Sequence, residues 1–551
     1  MFAPPQSAPT HAVTNQPTPL DGNNLYRGDR PLQEWLQRFG AGWGEARLTA
    51  YGELAGGELL AAGFTADCHP PELHSHDRFG RRIDRVEFHP AWHQALGAGI
   101  AHGLHALPWR EPRPGAQVLR AGLFYLHNQV EAGSACPLTM THAGVAVLRR
   151  QPELAEAWLP KLLSLDYDPQ PLPAAAKRGL TLGMALTEKQ GGTDLRANST
   201  RAFAVGASGP GQAYELLGHK WFCSAPMSDG FLTLAQTDQG LSCFLLPRLR
   251  PDGSHNRIHI QRLKDKLGNR SNASAEIELH GALAWLVGEE GRGIATVLEM
   301  VALTRFDCTT GSAALMRQAL SQALHHCAQR QVGGRALEAQ PLMQNVLADL
   351  ALESEAALAL SLRLGHALER PEDEQERHFA RLLTAVGKYW VCRRAPAFVN
   401  EAQECLGGGG YVEESILPRL YREAPVNSIW EGSGNVQCLD VLRALDKSPA
   451  VAEALFAELA DGHGEARLKA QVLRLKHALR DREGLEYRAR QLCGEIAVAL
   501  QANLLLQGAP QMVSDAFIAA RLDAPSAVYG CLPAGVEVAA LLARSRLQAL
   551  D

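Results

Sequence analysis

The chain has 551 residues, of which 46% are apolar and 21% charged, with a formal net charge of -5. These values exclude a disordered or collagen-like chain and imply several domains; overall charge gives no footprint for nucleic acid, so any such contact needs a local basic patch. Met1–Leu20 has neither the basic start nor the apolar run of a secretory signal, and no uncharged apolar stretch reaches about 18 residues, so no membrane span is expected. The 11 cysteines are scattered without a C-x-x-C pair. They predict reduced, mostly buried thiols in a cytoplasmic protein, and no metal site.

Residues 1 to about 25 are rich in Pro, Thr and Asn and read as an extended arm, since Asn15–Leu20 cannot be a helix interior. From about Asp29 to Leu180 the pattern is helical, broken by Pro-rich turns. Within it Asn128–Met140 is small and apolar, suited to tight helix packing or to the wall of a pocket. Around Leu180 the texture changes to short β-branched and aromatic runs, such as Phe231–Ala235 and Leu241–Leu246. Gly, Pro and Asp turns separate them at barrel-like spacing. The pair Gly191-Gly192 is a simple turn, or lets backbone approach a flat ring or a phosphate.

Helical periodicity returns from about Gly293 to Asp446. Leu342, Val346, Leu347 and Leu350 predict a core-facing stripe of a four-helix bundle. A glycine run, Gly407–Gly410, follows a helix; such a run ends helices, and its amides can also cradle phosphate. In Arg419–Asn435 one carboxylate, Glu431, sits between Trp430 and the small-residue loop Gly432–Gly434. The helix after it is predicted to turn Val436, Leu439, Leu442 and Leu445 inward. A small-residue loop opening a helix offers free N–H groups to anions or carbonyl oxygens, and a carboxylate beside it is a candidate general base. After Pro449 comes an added helical region. Between Arg467 and Arg490 it carries eight basic against three acidic side chains, a local charge of +5. Leu468, Val472, Leu475 and Leu479 form an apolar stripe. Arg467 and Arg474 flank one side of it; Lys469, Lys476 and Arg480 flank the other. Such rims either snorkel around a docked helix or contact phosphates without reading sequence.

Two distant segments carry a resemblance. Met184-Ala-Leu-Thr-Glu-Lys-Gln-Gly-Gly-Thr-Asp194 resembles the flavin-facing strand and loop of acyl-CoA dehydrogenases, and Arg419–Asn435 resembles their catalytic-base segment. Asn427–Asn435, Lys264–Ala273 and Gly218–Phe222 are similar to the AidB-like branch. The resemblance covers nearly the whole chain, including the C-terminal extension. It implies a mainly α fold with a small β domain: arm and helical domain at 1–180, β-barrel at 181–290, helical bundle at 291–447, extra helical domain at 448–551.

The same resemblance implies FAD, held along Met184, Leu186, Thr187, Gly192 and Thr193 and by Trp221, Phe222, Cys223 and Ser224. Ile429, Trp430, Gly432, Ser433, Gly434 and Asn435 would complete that site. Arg330 and Gln340 would reach the adenine-diphosphate half from a neighbouring subunit of a homotetramer, and the amides of Gly407 and Gly408 would cradle its phosphates. Gly333, where the family usually has an aromatic, and Glu404, where it has Gln, depart from the pattern. Glu431 would remove the α-proton of an acyl-CoA thioester. AidB-like proteins are associated with double-stranded DNA binding in the adaptive response to alkylation damage. That association implies a phosphate-contacting surface of Arg443, Arg467, Lys469, Arg474, Lys476 and Arg480, with acyl-CoA oxidation weak. The alternative is a fully active short- or branched-chain dehydrogenase with no DNA role.

Overall fold

The computed structural model of the chain describes residues 10–460, 464–481 and 483–547. It is mainly helical around a small barrel, as expected. The N-terminal stretch is not wholly helical, however. A hairpin of β1 (Glu72–His76) and β2 (Arg82–Glu87) interrupts it. The Asp77 carboxylate accepts the N–H groups of Phe79 and Arg81 at 2.8 and 2.9 Å, and Gly80 turns the chain at φ +78°. Neither hairpin strand buries a full face, so no hydrophobic period announces it.

Two helices, Ala116–Asn128 and Ala135–Leu148, are buried almost throughout. Arg120 is bound in bidentate fashion by Asp307 at 2.5 and 2.6 Å, which ties the first of them to the bundle. A buried guanidinium needs this full pairing, since an uncompensated charge there would be costly.

The barrel strands run in chain order: β3 (Leu182–Ala185), β4 (Arg201–Ala204), β5 (Ala213–Ser224), β6 (Gly230–Thr237), β7 (Gly240–Pro247), β8 (Ile258–Leu263) and β9 (Ser274–Val287). Antiparallel pairs β6–β7, β7–β9, β9–β5 and β5–β4 close on themselves through the parallel bridge Arg201–Gln236. Closure removes exposed edges from five strands. β3 lies outside the ring, parallel to the first half of β6, and so carries Met184 to the barrel's helical side.

The bundle consists of helices Gly293–Gln329, Pro341–Leu368, Glu374–Cys405 and Gly434–Lys447. Two expected stripes need correction. Leu342 is 85% exposed, because it occupies the first turn of its helix, before neighbouring helices flank it; Leu347 and Leu350 are buried. On the last helix the buried residues are Gln437, Cys438, Val441 and Ala444, while Val436, Leu439, Leu442 and Leu445 are only half-buried. Gln437 is drawn inward by the carbonyls of Glu431 and Gly432, which turns the helix away from its most apolar face. Gly333 and Gly334, at φ +60° and +76°, form the two-residue turn of a short hairpin, which a side chain of the family's aromatic type would strain.

The extension adds helices Pro449–Ala460, Ala466–Arg480, Ala489–Gly508, Gln511–Ile518 and Val538–Ser545. It docks on the second and third bundle helices through buried charge. Asp349 and Glu353 bind Arg521 at 2.5 and 3.1 Å, and Glu355 binds Arg544 at 2.7 Å. Trp390 donates to Gln501 at 3.0 Å. No helix among the described residues is long and apolar enough to cross a membrane.

Candidate active site

Glu431 stands in the left-handed region at φ +60°. A non-glycine residue there costs about 1–3 kcal/mol and persists only where its surroundings fix it. Arg305 Nε and Gln437 Nε2 both donate to the Glu431 carbonyl, at 3.0 and 3.1 Å. Lys388 Nζ donates to the carbonyls of Trp430 and Gly432 on either side, at 2.7 and 2.5 Å. The Lys388 side chain is 1% exposed and comes from the middle of the third bundle helix. Asp440 holds Arg305 at 2.9 Å and Arg381 at 2.6 Å, fixing the first, third and fourth bundle helices around the loop. The carboxylate itself accepts the Thr304 hydroxyl at Oε2, 2.8 Å, and Oε1 takes no hydrogen bond among the described residues. Thr304, Arg305, Lys388 and Gln437 were not legible as site residues. Only Lys388, a lone charge in the apolar run Leu382–Val391, gives a local signal.

The predicted flavin-facing segments meet this loop. Cys136, Met140 and Ala225 form a small apolar patch on which Met184 and Trp430 both pack. Trp430 is steadied by donating Nε1–H to Asn427 at 2.9 Å. The Met184 and Trp221 segments are joined by the Trp221 N–H to the Thr187 carbonyl, 2.8 Å. Gly192 packs so closely on Thr187 that a Cβ would lie 2.6 Å from its hydroxyl. Behind them Glu188 is fully buried and paired with Lys220 at 2.7 Å. Burial opposes its charge, but Lys220 and the N–H groups of Ser199 and Thr200 outweigh this and hold the carboxyl far below the usual carboxylate range.

Other expected cofactor residues are distributed as follows. Leu186, Trp221 and Ser224 are half-buried, while Phe222, Thr193, Ile429, Ser433 and Asn435 are exposed. Lys264 Nζ lies 3.2 Å over the Trp221 ring. Cys223 alternates with them and points into the barrel core, where burial raises its thiol, so only its backbone faces outward. Arg330, Gln340, Gly407 and Gly408 lie elsewhere. Arg330 is 26 residues along the same helix from Thr304, about 39 Å at 1.5 Å per residue. Its guanidinium donates to the Asn15 carbonyl at 2.6 Å, and the Asn15 side chain pairs with the Gln331 backbone, so the arm lies over this helix end. Glu404 is exposed and accepts from Asn400.

Of the expected basic surface, Arg443, Lys469, Arg474, Lys476 and Arg480 are exposed. Arg467 is taken up by Glu465 at 2.7 Å and Asp523 at 2.8 Å, and Arg474 folds back on Gln471. The buried face of this helix is Leu468, Gln471 and Leu475, with Val472 and Leu479 partly covered. Arg482, one of the eight basic residues of that stretch, lies outside the described residues.

Three family profiles match: the adaptive response protein AidB N-terminal domain over residues 15–169, the acyl-CoA dehydrogenase middle domain over 183–282 and the acyl-CoA dehydrogenase C-terminal domain over 291–445. The chain is 50% identical over 475 residues to the AidB protein of Escherichia coli (strain K12), which is named as an acyl-CoA dehydrogenase; the match covers 86% of this chain and 87% of that one. Caenorhabditis elegans ACDH-11, solved in complex with C11-CoA, superimposes with a TM-score of 0.83 at 27% identity, over 100% of this chain and 96% of that one. A Bacillus anthracis acyl-CoA dehydrogenase solved with FAD shares the fold, with a TM-score of 0.60 at 19% identity over 77% of this chain and 76% of that one. Met184, Leu186 and Thr187 are half-buried, and Met184 meets Trp430 on the apolar patch, an arrangement that fits a flat ring system. The chain belongs to the acyl-CoA dehydrogenase family, in its AidB-like branch, and is an FAD-dependent oxidoreductase.

Proposed function

We propose that the chain oxidises an acyl-CoA thioester, with Glu431 removing the proton from the carbon next to the thioester carbonyl. The observation that supports this most is the set of bonds that hold Glu431. Its backbone is locked in a strained conformation by Arg305, Gln437 and Lys388, and its carboxylate is steadied by Thr304 beside the Met184–Trp430 patch. Such pre-organisation places a base without reorganisation during the reaction. Bound FAD supplies the two-electron redox chemistry; Met184 to Thr193 and Trp221 to Ser224 would hold its ring. Trp430 and Met140 exclude water from the proton being moved.

The extension supports a second role for the same chain. Its exposed cations on the Ala466–Arg480 helix suit a phosphate backbone, favouring the DNA-associated reading with slow acyl-CoA turnover, in a cytoplasmic homotetramer of the alkylation response.

Anaerobic absorbance spectra of the purified flavoprotein, mixed with acyl-CoAs of graded length and branching, test the catalytic reading. At least one should bleach the flavin. Glu431→Gln should keep FAD and slow that bleaching by about 10²–10⁴-fold, the usual worth of a general base. Bound FAD that no acyl-CoA bleaches would overturn the reading.

A further inference from the structure

A cavity lies one layer behind the apolar patch, lined by Gln129, Glu131, Gly133, Asn269, Ser271, Arg419 and Glu423 among others. Gly133 is adjacent to the patch, since its carbonyl accepts the Cys136 N–H at 3.3 Å. A hydrogen-bond chain also leads there from the expected flavin-facing strand. Ser224 Oγ lies 3.2 Å from Ser274 Oγ; Lys266 Nζ donates to Ser274 Oγ at 3.2 Å and to the Asn272 carbonyl at 2.6 Å; Ser271 Oγ donates to Glu131 at 2.5 Å.

The lining is polar and incompletely paired. Gln129 and Asn269 are 2% and 5% exposed, yet among the described residues Gln129 Nε2 and Asn269 Oδ1 have no hydrogen-bond partner, and neither does the buried Arg419 Nη1. Two free donors and a free acceptor are therefore carried by residues that line one cavity. Each would cost about 1–3 kcal/mol if covered by hydrocarbon. Glu131 has both oxygens engaged, by Ser271, Gly133 and Ser134. Glu423 accepts from Asn269 at 2.9 Å, and burial pushes its carboxyl up to about 7. An anionic ligand would meet these two carboxyl groups; a neutral group that both accepts and donates would meet the free atoms.

We propose that this cavity is the far end of the substrate site and takes a neutral hydrogen-bonding substituent of the acyl group, a hydroxyl or carboxamide, in place of a hydrocarbon tail. The inference rests on the acyl-CoA reading above and names its substrate class. It is tested on the holoenzyme with 5-hydroxypentanoyl-CoA against its near-isostere hexanoyl-CoA. The hydroxylated compound should bleach the flavin with about tenfold higher kcat/KM, the value of one well-made buried hydrogen bond. Gln129→Met, which removes a free donor and takes no hydrogen-bond partner from another described residue, should erase most of that preference, read as the ratio of the two kcat/KM values within the variant. Equal or better use of hexanoyl-CoA by the wild type overturns the proposal, and the cavity then holds only water.

A second measurement separates this from failure of the dehydrogenase reading. Calorimetric binding of the redox-inert thioethers S-(5-hydroxypentyl)-CoA and S-hexyl-CoA needs no turnover. Tighter binding of the hydroxylated thioether without any bleaching would retain the subsite and remove the dehydrogenase reading. Equal binding, or none, would remove the subsite.

Discussion

At the scale of single residues, the site depends on how one strained peptide is held. Lys388 is a positioning residue: its ammonium donates to the carbonyls on either side of Glu431. Lys388→Met would leave the half-buried Trp430 carbonyl unpaired and the Gly432 carbonyl to Gln437 alone, and let the base swing out of its left-handed conformation. The expected result is a fall in kcat of about 10²-fold, comparable to a 1 Å misplacement, with KM and bound FAD little changed. Stopped-flow flavin reduction at saturating substrate, compared with KM, checks it. A proportional loss of FAD would show instead that Lys388 only stabilises the fold. Residues such as Lys388, Thr304 and Arg305 escape sequence reading for a physical reason. Each acts on atoms 42 to 127 residues away, so nothing in its own neighbourhood marks it. Glu431 was legible because its aromatic neighbour, its small-residue loop and its helix start are contiguous.

At the scale of elements, legibility followed the strength of the local period. The barrel strands alternate with turn residues and declared themselves; the hairpin β1–β2, which buries only Val86 fully, did not. Buried charge was the other hidden feature. Asp349, Glu353 and Glu355 sit in the mostly apolar stretch Leu347–Leu360, and only the fold shows that Arg521 and Arg544 of the extension and Arg394 of the third bundle helix answer them. That docking leaves one helix, Ala466–Arg480, with its cations turned outward. Lys469 and Arg480 have no carboxylate partner among the described residues, whereas Arg467 is spent on Glu465 and Asp523. Replacing Lys469, Lys476 and Arg480 together by Gln should therefore weaken binding to duplex DNA irrespective of sequence. The slope of log affinity against log salt should fall by up to about 2–3, roughly one for each phosphate no longer neutralised. Arg467→Gln should change it little. Fluorescence anisotropy over a salt series distinguishes the two, and an unchanged slope in the triple variant would remove this helix as the DNA surface. Flavin bleaching should be unaffected, since the helix carries no residue of the candidate active site.

At the scale of the whole molecule, the length of the Gly293–Gln329 helix decides how a cofactor could be held. Thr304 steadies the base near one end and Arg330 lies about 39 Å further along, longer than a flavin site allows within one chain. If both serve FAD, they serve two different copies of it, and each site is built from two subunits. The exposed Leu342 beside that distal end, with the arm folded over Arg330, marks a surface suited to such a partner. Subunit mixing makes the argument measurable. Glu431→Gln retains Arg330 but lacks the base; Arg330→Glu retains the base but weakens the hold on pyrophosphate. Each alone should be nearly inactive. Denatured and refolded together in equal amounts, they should regain about one quarter of wild-type flavin bleaching: with reciprocal pairing, half of the pairs are mixed and each mixed pair has one intact site. If Arg330 serves the flavin of its own chain, or none, the mixture will be no more active than the separate variants, and the two-subunit site falls with it.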